Sequence, residues 1–225
     1  MSLSLAMIAM LCARIHAAGI HFVPIKATSL LYCPQDHRIY ATAPPDSKGG
    51  LGNTVCRIDP DSGKVEASVV VGDDPKGIVR SADGKTLWVM VAGNKMVRPI
   101  DRATMKAGLN FPVGDNQAAR RLCPIPEMPN GLIVHRFNPS ISPPGDNLCV
   151  FINGRQAMDG APCDGALAYG IDASRVITMS EGSSSNFYLG VNAMLNTEHG
   201  SGFFDGVRRS FRKPLANPLF GDLAG

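Results

Sequence analysis

The feature that most restricts what this chain can fold into is an internal repeat. "GNTVCRIDPDSGKVEASVVVG" (residues 52–72) and "GNKMVRPIDRATMKAGLNFPVG" (residues 93–114) carry the same pairs at one spacing. Ile58-Asp59 and Ile100-Asp101 are 42 residues apart, as are Val71-Gly72 and Val113-Gly114. In the first copy Val65, Ala67, Val69 and Val71 alternate with Lys64, Glu66, Ser68 and Val70; in the second Ala107, Leu109, Phe111 and Val113 alternate with Lys106, Gly108, Asn110 and Pro112. A period of two sends successive side chains to opposite faces of a strand, so each run predicts a strand with one buried face. Pro112 has no N–H to give to a ladder, which places its strand at a sheet edge. "DPDSG" (residues 59–63) supplies the turn ahead of the first of these strands.

The repeat extends upstream. "GIVRSADGKTLWVMV" (residues 77–91) reads as strand, Asp83-Gly84 turn and strand, a hairpin signal, and "SLLYCPQDHRIYATA" (residues 29–43) is its counterpart. Tyr40 matches Trp88 at a spacing of 48, the extra residues falling in the loop "PPDSKGGLG" (residues 44–52). Each unit therefore holds four short strands in about 42 residues, the scale of a propeller blade. Two degenerate copies follow: residues 120–138 stand where the next inner hairpin belongs, "GDNLCVFINGRQ" (residues 145–156) matches the opening of the first repeat, and residues 166–180 with 185–191 repeat the strand pattern once more.

The run "VGDDPKGIVRSADGKTLWVMVAGNKMVRPIDRATMK", with its partner "IYATA…GNTVCRIDPDSGKV", resembles the bacterial YVTN-type β-propeller repeat. The likeness lies in the Asp-Gly turn, the aromatic strand, Gly-Asn, Ile-Asp and the terminal Val-Gly, and it is strongest over residues 29–114. Tyr40-Ala41-Thr42-Ala43 and Trp88-Val89-Met90-Val91 stand in place of the Tyr-Val-Thr-Asn signature itself. The expected fold is all-β: a partial, open β-propeller of about four blades, each a four-stranded antiparallel sheet. The blades are expected at roughly residues 29–72, 73–114, 115–163 and 164–206, within a repeat region of residues 20–206. Residues 207–225 form a tail or the start of a further blade. The resemblance implies a periplasmic, secreted or cell-surface protein and supplies no catalytic motif. An open fan leaves apolar flanks, "SLLY" and "TLWVMV" at one end and "ALAYGI" and "NFYLGV" at the other, so self-association or a partner covering the blade ends is expected.

Residues 3–19, "LSLAMIAMLCARIHAAG", fit a signal peptide in length and small-residue ending, but lack a basic n-region; a short buried or frayed leader is the other reading, with the protein then cytoplasmic. That run is too short to span a bilayer as a helix, and no other segment could cross one. Lys and Arg number 22 against 19 Asp and Glu, with no block of like charge, which argues against nucleic acid as a partner. The six cysteines, Cys12, Cys33, Cys56, Cys123, Cys149 and Cys163, include no CxxC pair. They read as buried thiols, with Cys149–Cys163 the pair that could bridge if any does.

Candidate ligand-binding residues come from two loops 42 residues apart, "GDDPK" (residues 72–76) and "GDNQAARR" (residues 114–121). They supply Asp73, Asp74, Lys76, Asp115 and Arg120 to one rim of the expected channel. Two carboxylates on one rim could hold a cation; alternatively, each Asp after Gly caps its own backbone. Asp59 and Asp101 are read as turn caps. No HxH or HExxH pair, GxSxG elbow, Walker motif, dinucleotide fingerprint or CxxCH is present, and no catalytic or metal-ligating residue is assigned. The function expected is a non-enzymatic binding or scaffold module without a cofactor. The alternative is a propeller enzyme such as a lactonase-like hydrolase using calcium or magnesium.

Overall fold

The computed structural model describes residues 20–142, 146–158, 166–168, 175–181 and 187–193, and among these every regular element is a strand. The first sheet contains β1 (Ser29–Cys33), β2 (Arg38–Ala43), β3 (Thr54–Ile58) and β4 (Val65–Val70). The second contains β5 (Ile78–Arg80), β6 (Thr86–Val91), β7 (Met96–Asp101) and β8 (Lys106–Ala107), with β9 (Phe111–Pro112) also paired to β7. The third contains β10 (Ala118–Pro124), β11 (Gly131–Phe137), β12 (Asp146–Ile152) and β13 (Arg155–Met158). The fourth contains β14 (Ala166–Ala168), β15 (Arg175–Glu181) and β16 (Phe187–Ala193). Each sheet is an antiparallel meander in chain order. The first strands lie side by side, β1 against β5, β5 against β10 and β10 against β14. The molecule is thus a partial, open β-propeller.

The two spacings in the sequence are two registers in the structure. Leu31 pairs with Tyr40 and Tyr40 with Arg57; Val79 pairs with Trp88 and Trp88 with Pro99. Tyr40 and Trp88 therefore hold equivalent positions in consecutive sheets. Each fills the core between its own sheet and the next. Tyr40 packs with Cys33, Val55 and Val71 against Leu87, Val89 and Ile100 of the second sheet. Trp88 packs with Met90, Val97 and Phe111 against Leu132, Val134 and Phe151 of the third. The Trp88 and Phe111 rings meet edge-on, their centroids 6.0 Å apart.

Two expectations need correction. Thr86–Val91 does not form an outward flank: β6 is central, with Trp88 and Met90 in one core and Leu87, Val89 and Val91 in the other. The run from Lys106 to Val113 is not one strand but β8 and β9, both paired with β7. The cause is Pro99 in β7. It has no N–H for the ladder at that point, and the carbonyl of Gly108 instead accepts from Arg98 Nε at 3.0 Å. Pro112 does lie on an edge strand, as its chemistry requires.

Cys33, Cys56, Cys123 and Cys149 are buried, and Cys56 and Cys149 occupy the third strands of the first and third sheets. Cys12 and Cys163 lie outside the described residues. Replacing Trp88 by alanine is expected to cost about 3–5 kcal/mol, the usual range for emptying a buried aromatic site. The check is a urea titration in which the midpoint falls while its slope is unchanged.

Candidate functional site

In a meander every second turn emerges on the same side of the fan. The β4–β5 loop, which carries Asp73, Asp74 and Lys76, and the β9–β10 loop, which carries Asp115, share one side with the β2–β3 and β6–β7 connections. Each rim loop begins at a glycine in left-handed backbone, Gly72 at φ 114° and Gly114 at φ 128°. Only glycine adopts such angles without strain. At Gly114 a Cβ would also come within 2.7 Å of Arg136 Nη1.

The carbonyl just before each glycine is held by an arginine of the following sheet. Arg98 Nη1 donates to Val71 O at 3.1 Å, and Arg136 Nη1 donates to Val113 O at 2.7 Å. The two arginines come from different strands, β7 and β11, yet reach acceptors 42 residues apart. Arg136 is itself held by Asn147 Oδ1 at 2.7 Å and Gln156 Oε1 at 3.3 Å. A charged donor on a buried carbonyl is among the stronger protein hydrogen bonds, so the loops stand on fixed bases.

The five rim residues fall into three settings. Asp73 and Asp115 are exposed at corresponding positions of successive loops, and the Asp73 carbonyl accepts from Ala92 N at 2.7 Å. Asp74 and Lys76 are joined in an ion pair, Nζ to Oδ1 3.2 Å, and Asp74 N donates to Asn53 Oδ1 at 3.0 Å. Asp74 has φ 46°, matched by Asn116 at 54°. Short polar side chains tolerate this region best. Arg120, expected in the loop, lies instead within β10, its Cζ 4.0 Å over the centroid of the Phe137 ring. Among the described residues no group of three or more His, Cys, Asp or Glu side chains is placed to hold a metal ion.

A second polar constellation occupies the opposite side, where no sequence motif pointed. A shallow cleft of about 450 Å3 is lined by Asp36, Arg38, Arg57 and Glu66. Arg38 grips Glu66 with two hydrogen bonds, Nε to Oε2 at 2.8 Å and Nη2 to Oε1 at 2.9 Å. Arg57 Nε is 3.2 Å from the same Oε2. Asp36 accepts from Tyr40 Oη at 2.7 Å and pairs with Arg102 of the second sheet. Beside it, Tyr32 Oη lies 2.8 Å from His37 Nδ1, and His37 Nε2 lies 3.2 Å from Asp61 Oδ1. Burial, followed by its bond to Asp36, pushes the Tyr40 phenol up. The lining holds two cations and two anions: Glu66 lies between Arg38 and Arg57, and Asp36 turns to Tyr40 and Arg102, so the cluster joins the blade turns and the lining carries no net charge. Arg38, Arg57 and Glu66 are distant in sequence. Only the register that sets Tyr40 opposite Arg57 would have revealed them.

The turn aspartates serve the backbone. Asp59 accepts from Asp61 N at 3.1 Å and Ser62 Oγ at 2.8 Å; Asp101 accepts from the Thr104 N and Oγ1, both at 2.7 Å. Asp83 does the same for Ser81 Oγ and Lys85 N.

No family model and no curated protein sequence matches the chain. Solved structures do. Hydrazine synthase of Kuenenia stuttgartiensis is 15% identical with a TM-score of 0.53, over 80% of this chain and 49% of that one. A putative 6-phosphogluconolactonase from Bacteroides uniformis is 12% identical with a TM-score of 0.56, over 79% and 52%. The dihydro-heme d1 dehydrogenase NirN is 13% identical with a TM-score of 0.52, over 82% and 37%. At these identities the likeness establishes the β-propeller type of fold alone. The chain spans about half the length of the first two and less of the third.

Hydrogen bonds to the ionised form hold Glu66 (from Arg38), Asp59 (from Ser62), Asp83 (from Ser81) and Asp101 (from Thr104) below the ordinary carboxylate range. Such groups contribute stability above their unfolded values, near pH 4, and lose it as pH falls through the lower folded values. Unfolding midpoints in urea are therefore expected to fall as pH drops below about 4. Glu66→Gln should flatten that fall while leaving the dependence between about pH 6 and 8 unchanged.

Proposed function

We propose that this chain is a non-enzymatic recognition or scaffold module of the YVTN-type propeller kind, acting outside the cytoplasm on a protein or small-molecule ligand. The observation that carries the reading is the rim. Its loops repeat at one spacing, each anchored by an arginine on the preceding carbonyl, and each presents an exposed aspartate to solvent. A rigid, evenly spaced polar surface suits recognition, because little order has to be gained on binding. Asp73, Asp74, Lys76, Asp115 and Arg120 are the residues proposed to meet the ligand.

A second reading is a metal-dependent, lactonase-like hydrolase. Two facts favour it: the exposed carboxylates of Asp73 and Asp115 on one side of the fan, and the likeness in fold to a putative 6-phosphogluconolactonase. Asp73 and Asp115 would be the residues to hold calcium or magnesium. Calorimetric titration with each cation, together with a sugar-lactone hydrolysis assay, separates the readings. The recognition reading expects neither stoichiometric binding nor a rate above that of buffer. One equivalent of bound cation, lost in Asp73→Asn/Asp115→Asn together with lactone hydrolysis, would replace it with the enzymatic one.

A further inference from the structure

The outward flank of the first sheet is where a preceding blade would sit. The second sheet turns Ile78, Leu87, Val89, Val91 and Ile100 toward its predecessor. At the matching places the first sheet has Leu30, Ile39, Ala41, Ala43 and Ile58. The two alanines leave a trough, and residues 20–28 lie across it. Val23 and Ile25 pack on Ala41, Ala43, Cys56 and Ile58, which are at most 4% exposed. The segment is pinned at both ends. His21 Cβ occupies the space beside Gly63, in the β3–β4 turn, where a Cβ would come within 2.7 Å. At the other end Thr28 N donates to Thr42 O at 2.9 Å and Thr28 Oγ1 to Pro75 O at 2.7 Å, while Lys26 pairs with Asp46 and its carbonyl accepts from Ser47 Oγ at 3.0 Å. The segment thus runs the whole height of the sheet, from the turns on one side to the loops on the other.

We propose that residues 20–28 are a self-docking strap that occupies the seat of a preceding blade, and that the same flank receives the open end of a second copy once the strap lifts. Three observations support the step to a second copy. The strap covers the flank incompletely, since Leu30, Tyr32 and Val70 remain 65%, 51% and 67% exposed. The flank is of the kind that already packs sheet to sheet within this chain. The matched arc of this chain covers 49% and 52% of two of the solved propellers, so two such arcs span one of them. The strap is held in its middle by Val23 and Ile25 alone, and no ladder joins it to the sheet.

Cys56 reports on the strap, because its buried thiol lies beneath Val23 and Ile25; Cys33, in the core between the first and second sheets, is the internal control. The full-length chain and Val23→Asp/Ile25→Asp are alkylated with iodoacetamide, mapped by peptide mass spectrometry and sedimented over the micromolar range. The expected result is labelling of Cys56 at least ~10-fold faster in the variant, as a local opening without global unfolding would give, with Cys33 changed less than ~2-fold. A concentration-dependent dimer should appear in the variant and be weaker or absent in the parent. An unchanged Cys56 rate would show that the segment does not cover the flank. A labelled Cys56 in a chain that stays monomeric would remove the second copy as occupant. Should the aspartates unfold the sheet, Val23→Ala/Ile25→Ala is the milder variant; if Cys56 and Cys33 rise together there as well, the strap is not a separable element and the proposal fails.

Discussion

The structure depends on side-by-side packing of sheets in which a middle strand serves two cores at once. β6 is the clearest case. Alternation sends Trp88 and Met90 toward the third sheet and Leu87, Val89 and Val91 toward the first. Because the side-chain period is two, a slip of one residue would exchange the two sets and spoil both cores together. The ladders that fix Trp88 opposite Val79 and Pro99 are therefore what allow consecutive blades to stack. Neither sheet could bury its faces alone, and the fan is stable only as a set of neighbours.

Polar contacts are placed where that packing ends. On one side of the fan, Arg98 and Arg136 reach back to the last carbonyl of the preceding blade. Gly72 and Gly114 must follow, since the chain turns sharply there and, at Gly114, the guanidinium fills the space of a side chain. On the other side, Asp36 binds Tyr40 within its own sheet and Arg102 across the seam. The same features that close the sheet edges also orient the loops carrying Asp73 and Asp115, so the placement of these two carboxylates is a product of how blades are joined.

Several elements were legible in the sequence because they rest on local rules. The hairpin at Asp83-Gly84, the edge position of Pro112 and the turn-capping roles of Asp59 and Asp101 each follow from a residue's own backbone chemistry. The division of the run from Lys106 to Val113 was not legible, because its cause, Pro99, lies on the partner strand. The Arg38–Glu66–Arg57 cluster escaped for the same reason: its members meet only after β2, β3 and β4 have paired. Of the rim residues, Asp73 and Asp115 were found through their repeat spacing, whereas the pairing of Asp74 with Lys76 and the stacking of Arg120 on Phe137 came from the folded chain.

The sequence by itself determined the unit: four short strands, the turns between them, and a repeat near 42 residues that is plainest in the first two units. Turn preference and a period of two are properties of neighbouring residues, so they can be read along the chain. Only the tertiary structure decided which faces meet. It made Trp88 an interior residue, set two arginines from different strands on matching carbonyls, and laid Val23 and Ile25 over the flank of the first sheet. These outcomes depend on which surfaces remain to be buried once the sheets exist, and burial is settled by all the neighbours together.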